Sequence, residues 1–264
     1  MASGSSLPSL YFFNVKMAVS RAMQFRADFT LGVFSSLLFS ILGPIGQYLI
    51  FRLTRGYPGW TISEMIVFQG MFVFWTGIRD TLFGGVRYFI MDTIRKGDFD
   101  RILLKPYHSA GFVLASGFSF QSAGSILAGA VILTLSLGAS GATPGVLDIL
   151  AFLALLPCAV ILHMAVTLLF CSITTMVVHS RRFSELFDRI LDFSGYPAEV
   201  FPNLARLVYV VVVPFAIFIY FPARALLGKL DVFMVVGAVI SVFLFFVSLR
   251  FWNTIMKRYT SAGG

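Results

Sequence analysis

Charged side chains are scarce in this sequence. Asp, Glu, Lys and Arg make up 12% of its 264 residues, whereas a soluble domain carries about 25% because its exterior faces water. That deficit excludes an ordinary water-soluble globule. Cysteine is nearly absent too. Cys158 and Cys171 share one apolar run, and on a helix rising ~1.5 Å per residue they stand about 20 Å apart. No disulfide can join them, so both read as small apolar side chains. Also missing are the phosphate-cradling GxxxxGK[ST] run, the HExxH and GxSxG motifs, and any Cys/His cluster with metal-ligand spacing. The chain therefore carries no means of hydrolysing ATP and no catalytic or metal centre. His163 stands alone in an apolar run and reads as a packed, bundle-facing residue, while His108 and His179 fall at membrane boundaries.

What is abundant is apolar surface. Hydrophobic residues reach 58%, mean hydropathy is +0.88, and Phe alone occurs 30 times. A helix needs about 20 mainly apolar residues to cross the hydrocarbon of a bilayer. Such runs occupy residues 31–51, 62–83, 112–137, 147–178 and 232–251. Gly43-Pro44 is expected to kink the first, and Pro157 to interrupt the fourth. The fold expected is an all-α integral membrane protein of about six transmembrane helices.

The net charge of +8 does not form a nucleic-acid stripe, because the basic residues collect between the apolar runs. With the amino terminus inside, the inner side takes Lys16, Arg21, Arg26, Arg79, Arg87, Arg95, Lys96, Arg101 and Lys105. It also takes Arg181, Arg182, Arg189, Arg206, Arg250, Lys257 and Arg258, leaving only Arg52, Arg55, Arg224 and Lys229 outside. This asymmetry predicts that both termini are cytoplasmic. Residues 1–30 lack the pattern of a cleavable signal peptide, so the amino terminus is expected to be kept.

Between the fourth and last runs, two readings stay open. The charged stretch 179–192 is a cytoplasmic loop and 204–221 the fifth span, or 184–200 spans with its charges turned into the bundle. In the second case 204–221 is an outer re-entrant segment broken at Pro214. A lipid-exposed charge at the bilayer centre costs ~2.5–3.5 kcal/mol on the insertion scale, and re-entrant backbone needs protein or a cavity around it. The candidates for a bundle-interior or path-lining role are Arg79, Asp80, Glu185, Asp188 and Asp192. Arg79 with Asp80 reads as an interface pair or a functional one. No chain of acids marks an ion pathway.

Two cytoplasmic elements stand out. Residues 10–30 place Asn14, Arg21, Gln24 and Asp28 near one helical face, as in a helix lying in the interface. Residues 87–108 contain a Gly97-Asp98 turn, then Phe99, Ile102, Leu103 and Leu104 among charges, and a stop at Pro106. That makes a short amphipathic helix able to dock into a groove on a soluble partner. The third apolar run is rich in small residues, from Gly111 to Gly129, which suit close packing within one subunit or between two.

The order of these parts resembles the membrane subunit of an ABC-2 type ABC transporter. Residues 94–108, IRKGDFDRILLKPYH, resemble the family's coupling-helix region, matched at Gly97, Asp98, Asp100, Leu103 and Pro106. Residues 193–228 resemble the YP…FP…P…P…LLG segment of an uncharacterised permease branch. The resemblance favours the re-entrant reading, within a unit spanning 184–221. It implies a dimer with a second, identical or homologous permease copy, and a separate ATP-binding subunit that holds ATP and Mg. It also implies residence in the cell (inner) membrane and no cofactor in this chain. The rivals are a secondary transporter or channel without an ATPase, an intramembrane enzyme and a non-transporting scaffold.

Overall fold

The computed structural model describes residues 11–17, 20, 26–54, 56–105, 108–176 and 180–259. Residues 11–17 are helical. The elements that follow are α1 (Arg26–Leu53), α2 (Ile62–Phe83), α3 (Val86–Arg95), α4 (Phe99–Leu103), α5 (Ser109–Ala115), α6 (Ala123–Ser140) and α7 (Val146–Thr174). After them come α8 (Ser180–Asp192), α9 (Asn203–Leu207), α10 (Tyr220–Leu226) and α11 (Val232–Met256). No strand occurs among the described residues.

Local chemistry sets many of these limits. Thr61 caps α2 by accepting from the Glu64 amide, and the Glu64 carboxylate accepts from the Thr61 amide in return. Asp231 caps α11 by accepting from the Phe233 amide at 3.0 Å. At the end of α6, Gly141 takes a left-handed φ of 70°, a conformation that favours glycine.

Among the described residues, four helices are long and apolar enough to cross a membrane by length and composition: Thr30–Leu53, Phe120–Ser140, Val146–Thr174 and Val232–Met256. The 22-residue α2 carries more charge and runs against α6. Between α8 and α11 the chain is broken into short pieces, so 204–221 is not one helix. Its backbone turns at Val213–Pro214, and residues 214–223 are wholly buried among α2, α7 and α11. That burial gives irregular backbone the protein environment it needs at membrane depth.

Several expectations change in detail. Residues 26–30 are helical and continuous with the first long helix, Arg26–Leu53, while 18–19 and 21–25 of the expected interfacial helix lie outside the described residues. Pro157 does not interrupt α7, which runs unbroken for 29 residues. The third run is not one helix over 112–137, because α5 and α6 are separated by residues 116–122, with a short 3-10 turn at Phe120–Ser122. Main-chain partners from the neighbouring helix hold that break together. The Gly85 amide donates to the Gly117 carbonyl at 2.9 Å, and the Ser119 amide to the Thr81 carbonyl at 2.9 Å. Gly117 has no room for a side chain, because a Cβ there would lie 2.9 Å from the Val86 amide nitrogen.

The small residues of the third run pack within this chain. A Cβ on Gly129 would sit 2.3 Å from the Phe74 amide nitrogen, and one on Gly77 2.5 Å from that of Ile126. Gly124 meets Val33 and Ser36 of α1 in the same way. Small residues at such crossings let backbones approach closely, which is what binds helices in lipid. α1 itself is the least embedded helix, with Leu31, Phe34, Leu38, Phe39 and Leu42 all exposed.

Candidate functional site

The two ends of the bundle carry different polar constructions. One is the Arg87 end. Here α3 closes in a Schellman motif: the Asp98 amide reaches the Thr93 carbonyl at 3.0 Å and the Gly97 amide that of Ile94 at 3.1 Å. Gly97 has a φ of 70° with open space around it, so conformation and not crowding calls for glycine. Asp92 accepts from Lys96 at 2.6 Å and Arg95 at 2.8 Å. The Lys96 hydrogen bond holds its carboxyl below the usual carboxylate range.

The chain then reverses into α4, whose Phe99 and Ile102 are buried. The Phe99 ring meets Trp252 edge-on at 6.3 Å and Tyr259 at 5.1 Å, while Trp252 Nε1 donates to Ser109 Oγ at 3.0 Å. α4 is thus bolted to the carboxyl end of α11. Leu103 is half-buried against the same core. The apolar side chain presented outward is Leu104, 85% exposed, in a stretch where Arg95, Lys96, Arg101 and Lys105 are exposed too. Arg101 pairs with Asp98 at 3.1 Å, and Lys105 Nζ lies 4.0 Å from the centre of the Phe112 ring. Asp98 and Asp100 are half-buried. Pro106 lies outside the described residues. The spacing of Phe99, Ile102 and Leu103 follows one helical face and leaves position 104 off it.

A small crevice lies at the Arg87 end. It brings together Arg79, Asp80, Arg87, His163 and Phe187, and its volume of about 20 Å³ suits a single water. Arg79 Nε donates to Asp80 at 2.7 Å. Arg87 of α3 donates to Asp188 of α8 and its guanidinium lies 5.9 Å from the Phe187 ring centre. Of the five sequence candidates, Arg79 and Asp80 line the crevice and Asp188 meets its Arg87, whereas Glu185 and Asp192 are on the exposed side of α8. Arg87, the partner of Asp188, is 101 residues away in sequence, and no local signal joins the two. His163 is buried among Trp75, Phe83 and Phe218, and its Nδ1 has no hydrogen-bond partner among the described residues. It is a packed bundle residue at the crevice wall.

The opposite, Glu64 end is built around Glu199. This carboxylate accepts from Trp60 Nε1 at 2.9 Å and from the Tyr220 hydroxyl at 2.6 Å. Arg224 donates to the same hydroxyl at 2.8 Å, and Lys229 donates to Glu64 at 2.6 Å. Arg206, counted above with the inner side, lies at this end, 4.0 Å from Glu199. The broken segment carries Arg206 back toward α10, so the charge asymmetry narrows by one residue and keeps its sign. Among the described residues no group of His, Cys, Asp and Glu is placed to hold a metal ion.

An all-helical chain with four long apolar helices, lipid-compatible outer faces and its polar groups gathered at two ends is a multi-pass integral membrane protein. A family model described as ABC-2 family transporter protein matches residues 37–263, and the chain belongs to that family. No curated protein matches it.

Proposed function

We propose that this chain is the membrane-spanning permease subunit of an ATP-driven exporter, working as a dimer with two copies of a separate ATP-binding subunit. ATP and Mg belong to that partner. Both termini then face the cytoplasm of a cell (inner) membrane, with the Arg87 end inside and the segment 204–221 re-entrant from the outer side.

The observation that carries this reading is the construction of the 97–105 loop. Phe99 and Ile102 root it in the bundle while Leu104 stays exposed in a basic stretch. An exposed leucine in a charged stretch suits a hydrophobic socket on a soluble partner. Main-chain bonds from Thr81 and Gly85 tie the adjoining elements to α2, and Arg87 carries the link to α8 through Asp188. Closure of the ATPase around nucleotide would move this loop as one piece and rock α2 and α8 with it.

The test is Leu104→Asp in the co-purified complex. Burying a leucine contributes roughly 1.5–3 kcal/mol, so partner affinity should fall by at least about tenfold. Because Leu104 is exposed in the chain alone, insertion and folding should be unchanged. Wild-type assembly and ATPase stimulation in that variant would overturn the docking role.

A further inference from the structure

The Glu64 end holds a cleft that the coupling proposal does not use. It lies between residues 203–212, α10 and the start of α11, and encloses about 270 Å³. Its polar side is made by Asn203, Arg206, Tyr220, Arg224 and Asp231, and its apolar side includes Val210, Phe221 and Phe233. A site with cationic groups along one edge and hydrocarbon along the other is shaped for an amphiphile and not for a free ion.

The hydrogen-bonding inventory decides the sign of the headgroup. Both neighbouring carboxylates are engaged: Glu199 accepts from Trp60 and Tyr220, and Asp231 caps α11. The two guanidiniums are engaged only in part, with donors left over. Arg224 sends one hydrogen bond to the Tyr220 hydroxyl, stands 3.7 Å from Asp231, and its Nε has no acceptor among the described residues. The carboxylate paired with Arg206 is 4.0 Å away, beyond hydrogen-bond distance. A guanidinium carries five donors in a planar fork that matches phosphate oxygens two at a time. Aromatic and cationic side chains at the same end, with Lys229 5.9 Å from the Trp60 ring centre, mark the depth at which lipid headgroups sit.

We propose that this cleft binds an amphiphile with an anionic phosphodiester headgroup. Arg206 and Arg224 hold the phosphate, and the chain lies against Val210 and Phe233. The assignment stands apart from ATPase coupling, since it concerns the opposite end of the bundle.

The test uses the purified protein, with any accompanying ATPase subunit, in non-ionic detergent. A fluorescent short-chain phosphatidylglycerol is titrated beside the corresponding phosphatidylcholine, with inorganic phosphate as competitor. Arg206→Gln is the diagnostic variant, because its side chain is exposed enough to be replaced without disturbing the fold. Arg52→Gln, at the end of α1, is the control. Preference for the anionic lipid, about tenfold weaker binding in the Arg206 variant, and an unchanged control support the site. Equal binding of the two lipids, or an Arg206 variant that binds like the wild type, overturns it. Displacement by inorganic phosphate at the lipid's own potency would reduce the cleft to a free-anion site and overturn the amphiphile assignment.

Discussion

Replacing Gly129 with alanine tests the closest helix crossing in the bundle. The added Cβ would lie 2.3 Å from the Phe74 nitrogen and 2.4 Å from its Cα, where ordinary contact begins at 3.4 Å. The shortfall is about 1.1 Å, and the obstacle is backbone that cannot rotate aside. α2 and α6 must therefore separate along their length and loosen the reciprocal contact at Gly77. Overpacking of this kind costs about 1–3 kcal/mol, while alanine returns at most about 1 kcal/mol in helix propensity. Gly138 isolates that second effect, since it lies on the same helix with nothing within 4 Å of its Cβ position. Thermal unfolding of both variants in one detergent should lower the midpoint for Gly129→Ala and leave it level or raised for Gly138→Ala. Equal midpoints for the two would refute the proposed crossing.

Two further outcomes are expected. Arg87→Asp and Asp188→Arg should each reduce ATP-driven transport, and the double swap should restore part of it. Their effect on stability should stay below about 1 kcal/mol, because these side chains are 33% and 47% exposed and water screens the pair. A double swap no better than the worse single variant would remove the link between α3 and α8. In a background without Cys158 and Cys171, Asn203→Cys should react with an impermeant thiol reagent applied outside intact cells. Tyr88→Cys, 77% exposed at the other end, should react only after permeabilisation, and the reverse pattern would invert the proposed orientation.

The long helices were legible because their causes are local. Apolar length, the Thr61–Glu64 cap and the Asp231 cap are written within a few residues of the elements they limit. The break at 116–122 was not, because its stabilising partners, Thr81 on α2 and Gly85 in the turn after it, are distant in sequence and the bonds use only main chain. Leu103 and Leu104 are adjacent, and helical spacing sets Leu103 on the face of Phe99 and Ile102, but that this face is the buried one is shown by the packing of Phe99 on Trp252. The network at Glu199 was invisible for a related reason. Trp60 is 139 residues from its acceptor, and neither residue carries a pattern that announces the other.

The clamp between Thr81, Gly85, Gly117 and Ser119 has a consequence for how such chains can diverge. Main-chain hydrogen bonds belong to no particular side chain, so a lineage can rewrite positions 81 and 119 and keep the tie. Position 117 is held to glycine, because the Val86 and Phe83 backbones leave no space for a Cβ, and position 85 is tight against the Gly117 backbone as well. The exposed residues of the neighbouring loop, Arg101 and Leu104 among them, carry no such restraint from the fold. Drift there alters which surface the loop can meet while the linkage behind it stays mechanically intact. Under the proposed docking role, choice of partner and transmission of force can thus evolve on separate residues.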